Sequence, residues 1–231
     1  SMPETRTAET ESTLKPTYYI DSGHERIVEF VQPHIDPKSS IQTAVNIYFA
    51  VRDQILYDPY HIRLVPPHMK ASAVLERGKG YCVAKAVLLA ACLRAVDIPA
   101  KLCFADVKNH ITTKKLKEIM QTDVFHFHGY CLVYLEGHWV KATPAFNLSL
   151  CEKFGITPLD FNGREDSIFH EYDTKGMRHM EYIREHGCYD DLPLEEIVES
   201  FRTNYPGFKE DLSTGEGNGG PSFENDAEPI P

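Results

Sequence analysis

The sequence predicts an α+β fold in which helices come first and an antiparallel sheet follows. Three patterns predict it. Ile41, Ala44, Val45, Tyr48, Val51 and Ile55 recur at three- and four-residue steps, which makes one apolar helix face. From Cys82 to Val96 only Lys85 and Arg94 are charged, so that helix is apolar almost all round and belongs in a core. The stretches 125–136 and 138–143 are rich in β-branched and aromatic residues and meet at Gly137, as the arms of a hairpin do.

The elements follow in chain order. Residues 1–16 are rich in Thr, Glu and Ser, and are expected to be a flexible arm. Asp21 or Ser22 is placed to cap a helix through Phe30 that Pro33 ends. The amphipathic helix from Ile41 closes near Tyr57-Asp58-Pro59, and a short helix over 71–76 is closed by Gly78-Lys79-Gly80. Asp97-Ile98-Pro99 ends the buried helix. Residues 100–106 then read as a strand, 111–122 as a polar excursion, and 125–143 as the hairpin. Beyond Pro144 the periodicity weakens. Loops are expected to Tyr172, then short helices over 177–186 and 194–201, the second started by Pro193. The acidic, glycine-rich tail 209–231 is expected to be disordered, which leaves one domain over 17–208.

Composition excludes several functions. A net charge of −10 is wrong for a general phosphate-backbone binder, so no nucleic-acid partner is expected. No stretch approaches the roughly 20 apolar residues of a membrane span. Residues 1–15 hold no apolar signal region, which makes a cytoplasmic location the expectation. The six cysteines (Cys82, Cys92, Cys103, Cys131, Cys151 and Cys188) form no CxxC pair, which favours free thiols over a disulfide framework or zinc site. His61, His68, His126, His138, His170, His179 and His186 show no metal-ligand spacing, and Gly78-Lys79-Gly80 is no phosphate loop, so no metal and no cofactor is expected. Arg164-Glu165-Asp166 and Arg178-His179 read as solvated polar clusters.

Chemistry concentrates at two places. Cys82 follows Gly78-Lys79-Gly80-Tyr81 and opens the buried helix. There the glycines allow a sharp entry. The helix N-terminus favours thiolate over thiol, and its free N–H groups can hold an oxyanion. The alternative is a small first-turn residue with no chemistry. A nucleophilic thiol needs a base, and the strand Phe125-His126-Phe127-His128-Gly129-Tyr130 supplies two imidazoles. A regular strand puts them on one face about 7 Å apart; the alternative for either is a hydrogen-bonded strand histidine.

The run from Gly78 to Leu102 resembles the core of the transglutaminase-like superfamily, a fold related to papain. In that family Gly-x-Cys begins a buried helix that leads to an Arg-Ala-x-Gly-Ile-Pro-Ala-Arg-like turn; here the turn is Arg94-Ala95-Val96-Asp97-Ile98-Pro99-Ala100-Lys101. A second block, His128-Gly129-Tyr130, Tyr134, Gly137, Trp139-Val140 and Thr143-Pro144-Ala145, resembles the family's His-x-aromatic strand, turn, Trp-Val and Asp-Pro-Thr. The resemblance covers about residues 41–147 and leaves 148–208 as a C-terminal extension. It implies a Cys helix packed on an antiparallel sheet, with Cys82 as nucleophile and His128, rather than His126, as base. The implied chemistry is cysteine-dependent acyl transfer or amide hydrolysis through a thioester, on a peptide or amide substrate. One departure stands out. The family's third residue is Asp, and its position holds Thr143. Thr143 or Asn147 then orients the imidazole, or the site is degenerate and the domain binds without reacting. Gln54 is a candidate second oxyanion donor, with a solvated helix residue as the alternative.

Overall fold

A computed structural model describes residues 7–173, 175–208, 211–213 and 222–231. Helix α1 (Ala8–Ser12) leads to α2 (Glu25–Val31), whose cap is His24 rather than Asp21 or Ser22. The Asp21 carboxylate is taken by Ser72, whose N–H donates to it at 3.0 Å. Helix α3 (Ser40–Gln54) is capped by the Ser39 hydroxyl and buries Ala44, Ile47, Tyr48 and Val51, the face its periodicity marks. Strands β1 (Leu56–Tyr57) and β2 (His61–Arg63) follow, then α4 (Ala71–Arg77), β3 (Lys79–Gly80) and α5 (Cys82–Ala95). β3 pairs in parallel with β1.

Every residue of α5 from Cys82 to Arg94 is buried, including both charged ones. Buried amino and guanidinium groups must find acceptors, and these find backbone carbonyls. Lys85 Nζ donates to Arg52 O at 2.8 Å and Ala145 O at 2.9 Å. The Arg94 guanidinium holds the carbonyls of Lys15, Ala100 and Asp190. Each ties the central helix to surrounding chain.

The main sheet is formed by β4 (Ala100–Asn109), β5 (Val124–Leu135), β6 (His138–Ala142) and β7 (Met180–Tyr189), in the order β6-β5-β4-β7 and antiparallel throughout. α5 lies on this sheet, with Cys131 of β5 donating through Sγ to Ala86 O at 3.1 Å. The fold is therefore α+β with the Cys-bearing helix on an antiparallel sheet. Helix α6 (Lys114–Met120) occupies the polar excursion between β4 and β5, started by the Thr113 cap. Helices α7 (Leu148–Phe154) and α8 (Leu194–Asn204) belong to the C-terminal extension; strand β8 (Asp211–Ser213) and helix α9 (Phe223–Asp226) come after it.

The structure corrects four further expectations. The short helix expected over 177–186 is strand β7. Its Met, Glu and Arg residues favour a helix locally, but pairing with β4 from Leu102↔Tyr189 to Asn109↔Met180 decides its conformation. The cysteines are not all free. Cys103 and Cys188 are direct partners across β4 and β7 and form a disulfide, while Cys82, Cys92, Cys131 and Cys151 are free and buried. The arm is structured from Thr7 onward, with Thr10 and Thr13 buried; residues 1–6 lie outside the described residues. The tail is docked where it is described: β8 pairs with β2, and Phe223 and Ala227 are buried. Residues 209, 210 and 214–221 lie outside.

Candidate active site

Cys82 is the first residue of α5. Its entry is shaped by Gly80, where a Cβ would stand 2.8 Å from Ala84 Cβ, so only glycine lets the incoming chain lie on the first turn of the helix. The residue before the helix, Tyr81, is extended and provides no side-chain cap. The first N–H groups are thus free for the sulfur. The backbone N–H groups of Gly129, Val83 and Cys82 itself act to lower the thiol's pKa. Gly129 reaches the thiol because β5 lies directly on the helix: a Cβ on Gly129 would stand 3.0 Å from Val83 Cγ2 and 3.1 Å from Val83 Cα. The fold thereby brings the peptide following His128 to the thiol of Cys82.

The resting electrostatics are those of a closed, dry site. Cys82 and His128 are each 2% exposed. Burial pushes the Cys82 thiol up to about 12, against the smaller lowering effect of the N–H groups. Burial also lowers His128 to about 4. Both are neutral at pH 7. Among the described residues no hydrogen bond joins the thiol to the imidazole, and His128 Nε2 is buried without a partner.

Neither expected orienter engages His128. Thr143 Oγ1 is itself buried without a partner. Asn147 is occupied elsewhere: its Oδ1 accepts from Tyr57 N at 3.0 Å, and its Nδ2 donates to Ser149 Oγ and Glu224 Oε1, each at 2.9 Å. The stretch that carries both is well anchored. The Tyr48 hydroxyl lies 2.9 Å from Thr143 O, and Lys85 holds Ala145 O. Gln54 is exposed at the end of α3 and donates nothing to the sulfur.

His126 departs from the regular strand. A bulge interrupts the β4–β5 register between Ala105 and Val107, and Phe127 has φ 56°. The expected alternation that would place His126 and His128 on one face fails at that residue. His126 Nδ1 instead lies 3.4 Å from Asp106 Oδ2, while Asp106 Oδ1 accepts from Phe127 N at 3.0 Å and lies 2.8 Å from His186 Nε2. A second carboxylate–imidazole couple joins Asp58 to His61 Nδ1 at 2.7 Å. Sequence spacing had singled out neither couple; Asp58-x-x-His61 was the one local signal. Among the described residues no group of three or more His, Cys, Asp or Glu converges to hold a metal.

Three buried tyrosines are electrostatically coupled to the thiol. Tyr57, Tyr81 and Tyr205 have hydroxyls held above the ordinary tyrosine range, by burial first and with Cys82 as a further cause. Tyr205, just past α8, accepts from His126 N at 2.8 Å through its hydroxyl. The C-terminal extension thus closes against the start of β5, beside the site.

The family model of the transglutaminase-like superfamily matches residues 29–144, half of the chain. The chain belongs to that superfamily. A candidate cysteine protease of known structure from Cytophaga hutchinsonii is similar to it at 18% identity, over 60% of this chain and 43% of that one, with a TM-score of 0.44. The chain thus spans less than half of that protein's length. No protein of curated function matches the sequence.

Proposed function

We propose that the protein catalyses acyl transfer or amide hydrolysis on a peptide or glutamine-type amide, through a thioester on Cys82. The observation that carries this reading is the place of Cys82 at the start of α5 against Gly129 of β5, where backbone N–H donors favour its thiolate. Such donors stabilise a thiolate, and then the oxyanion that its attack creates. In the reaction His128 takes the thiol proton and sulfur bonds to the carbonyl carbon, whose π electrons move to oxygen. As the tetrahedral species collapses, the C–N bond breaks and His128 returns the proton to the departing amine. Water or a second amine then attacks the thioester and restores the thiol.

With the thiol near 12 and the imidazole near 4, proton transfer between them is strongly uphill in the closed state. Opening and hydration of the site would relax both shifts, because burial is their main cause. Cys82→Ala is expected to abolish turnover of an amide substrate and labelling at this position by iodoacetamide-type probes. Full turnover by Cys82→Ala would rule the mechanism out.

A second reading, a binding domain that keeps the fold without the chemistry, draws on the unpartnered Thr143 Oγ1 and His128 Nε2. It requires that Cys82 alkylation show an apparent pKa at or above the ordinary thiol value of about 8.5 in every form of the protein. Alkylation with a clearly lower value excludes it.

A further inference from the structure

Residues beyond α8 make contacts that their composition did not foretell. Phe223 is 2% exposed, with its ring centroid 5.5 Å from Tyr57, 5.3 Å from Tyr60 and 5.8 Å from Phe154. The carboxylates around it are matched individually. Glu224 Oε1 accepts from Asn147 Nδ2 at 2.9 Å and Ser149 Oγ at 2.7 Å, and Asp226 Oδ2 accepts from the Tyr60 hydroxyl at 2.7 Å. Further on, Ile230 N donates to Phe154 O at 3.0 Å. Upstream, β8 adds antiparallel to β2, pairing His61↔Ser213 and Arg63↔Asp211. This mode of contact, an added strand plus a buried aromatic anchor and paired polar groups, is how folded domains hold peptide segments.

The groove lies at the candidate site. Tyr57, one wall of the Phe223 pocket, pairs with Gly80, two residues before Cys82. Asn147, which holds Glu224, also holds Tyr57 N. The segment has little structure of its own, since α9 spans only Phe223–Asp226. Docking holds it, and such a segment is a natural unit of local opening.

We propose that this groove, formed by the β2 edge and the Tyr57–Tyr60–Phe154 pocket, is the protein's peptide-binding surface, and that its own C-terminal segment occupies it and keeps Cys82 covered. The ligand class it selects is a peptide with an aromatic residue followed directly by an acidic one in a single helical turn, as Phe223-Glu224 is. Only the orientation of such a peptide toward chemistry rests on the acyl-transfer reading; occupancy and coverage of the thiol do not.

The test compares the full chain with full-length Phe223→Ala. The rate of iodoacetamide labelling at Cys82 is read by peptide mass spectrometry under native conditions. The variant is expected to label roughly a hundred- to several-thousandfold faster, the shift that loss of a buried phenyl ring gives a local opening equilibrium. Adding a peptide of residues 222–230 in trans is expected to slow labelling of the variant again, and a scrambled peptide to leave it fast. Equal rates in the two proteins, or no protection by the peptide, overturn the proposal. Exposure of Cys82 in the variant without any amide turnover leaves the groove standing and removes the acyl-transfer reading. Equal, Cys82-dependent turnover in both proteins with no change in labelling does the reverse.

Discussion

Gly129→Ala probes the junction on which fold and site both depend. The added Cβ would stand 3.0 Å from Val83 Cγ2, 3.1 Å from Val83 Cα and 3.4 Å from Phe104 Cε1. Ordinary carbon contacts lie at about 3.5–4.0 Å. A side-chain methyl can rotate away, but Val83 Cα belongs to the backbone of a wholly buried helix. The strand must therefore retreat from α5 by several tenths of an ångström. Overpacking of this kind costs about 1–3 kcal/mol. The same movement draws the Gly129 N–H away from Cys82 Sγ. Urea denaturation followed by circular dichroism is expected to give a lower midpoint at unchanged slope, equivalent to that loss. Cys82 labelling in the folded protein should change at the same time. Gly23→Ala is the control: a Cβ there meets nothing within 4 Å, so stability should stay within about 0.5 kcal/mol of the parent. A Gly129→Ala protein as stable as the parent, with unchanged Cys82 labelling, would refute the argument that strand and helix are in contact at the sulfur.

Three further outcomes are expected. The Cys103–Cys188 disulfide closes a loop across a sequence separation of 85, so reducing it should destabilise the fold by about 4–5 kcal/mol in the chain-entropy account, seen as a lower urea midpoint in dithiothreitol. A midpoint indifferent to reductant would contradict this. His128 is lowered to about 4 by burial, so between that value and roughly 6.5 the unfolded chain binds the proton and the folded one does not. Its contribution, at most about 3 kcal/mol, is complete above pH 6.5 and is lost as pH falls toward 4. The pH dependence of the urea midpoint should flatten in His128→Gln and not vanish, because His68 is also lowered to about 4 and titrates in the same window. Lys85→Met should cost about 2–4 kcal/mol by leaving the carbonyls of Arg52 and Ala145 without their donor; an unchanged thermal midpoint would show that these contacts contribute nothing.

Much of the frame was legible because it is written in short-range patterns. The apolar period of α3 and the near-absence of charge in α5 can each be read within a dozen residues or so, and the β5–β6 hairpin declares itself at Gly137. Cys82 at a helix start followed from the same reading. What stayed hidden depends on residues far apart in the chain. β7 carries helix-favouring residues and becomes a strand only because β4 offers an edge about 80 positions earlier. Its register against β4 also creates the Cys103–Cys188 pair, which no spacing rule contains. That disulfide persists in oxidising surroundings, which pulls against the cytoplasmic location expected from the leading residues. The bulge at Phe127 redirects His126 toward Asp106, and a backbone dihedral of that kind leaves no mark in the sequence. The acidic tail read as solvent-loving because its carboxylates could not be matched in advance to Asn147, Ser149 and Tyr60.

The central claim is that Cys82, cradled by the start of α5 and the peptide after His128, forms an acyl intermediate. The most direct measurement is peptide mass spectrometry of the protein acid-quenched during incubation with an activated acyl-amide donor. The account predicts an acyl mass on the peptide that contains Cys82, removed by neutral hydroxylamine and missing in Cys82→Ala. An acyl mass that stays on the protein in Cys82→Ala, or one confined to Cys92, Cys131 or Cys151, would contradict it.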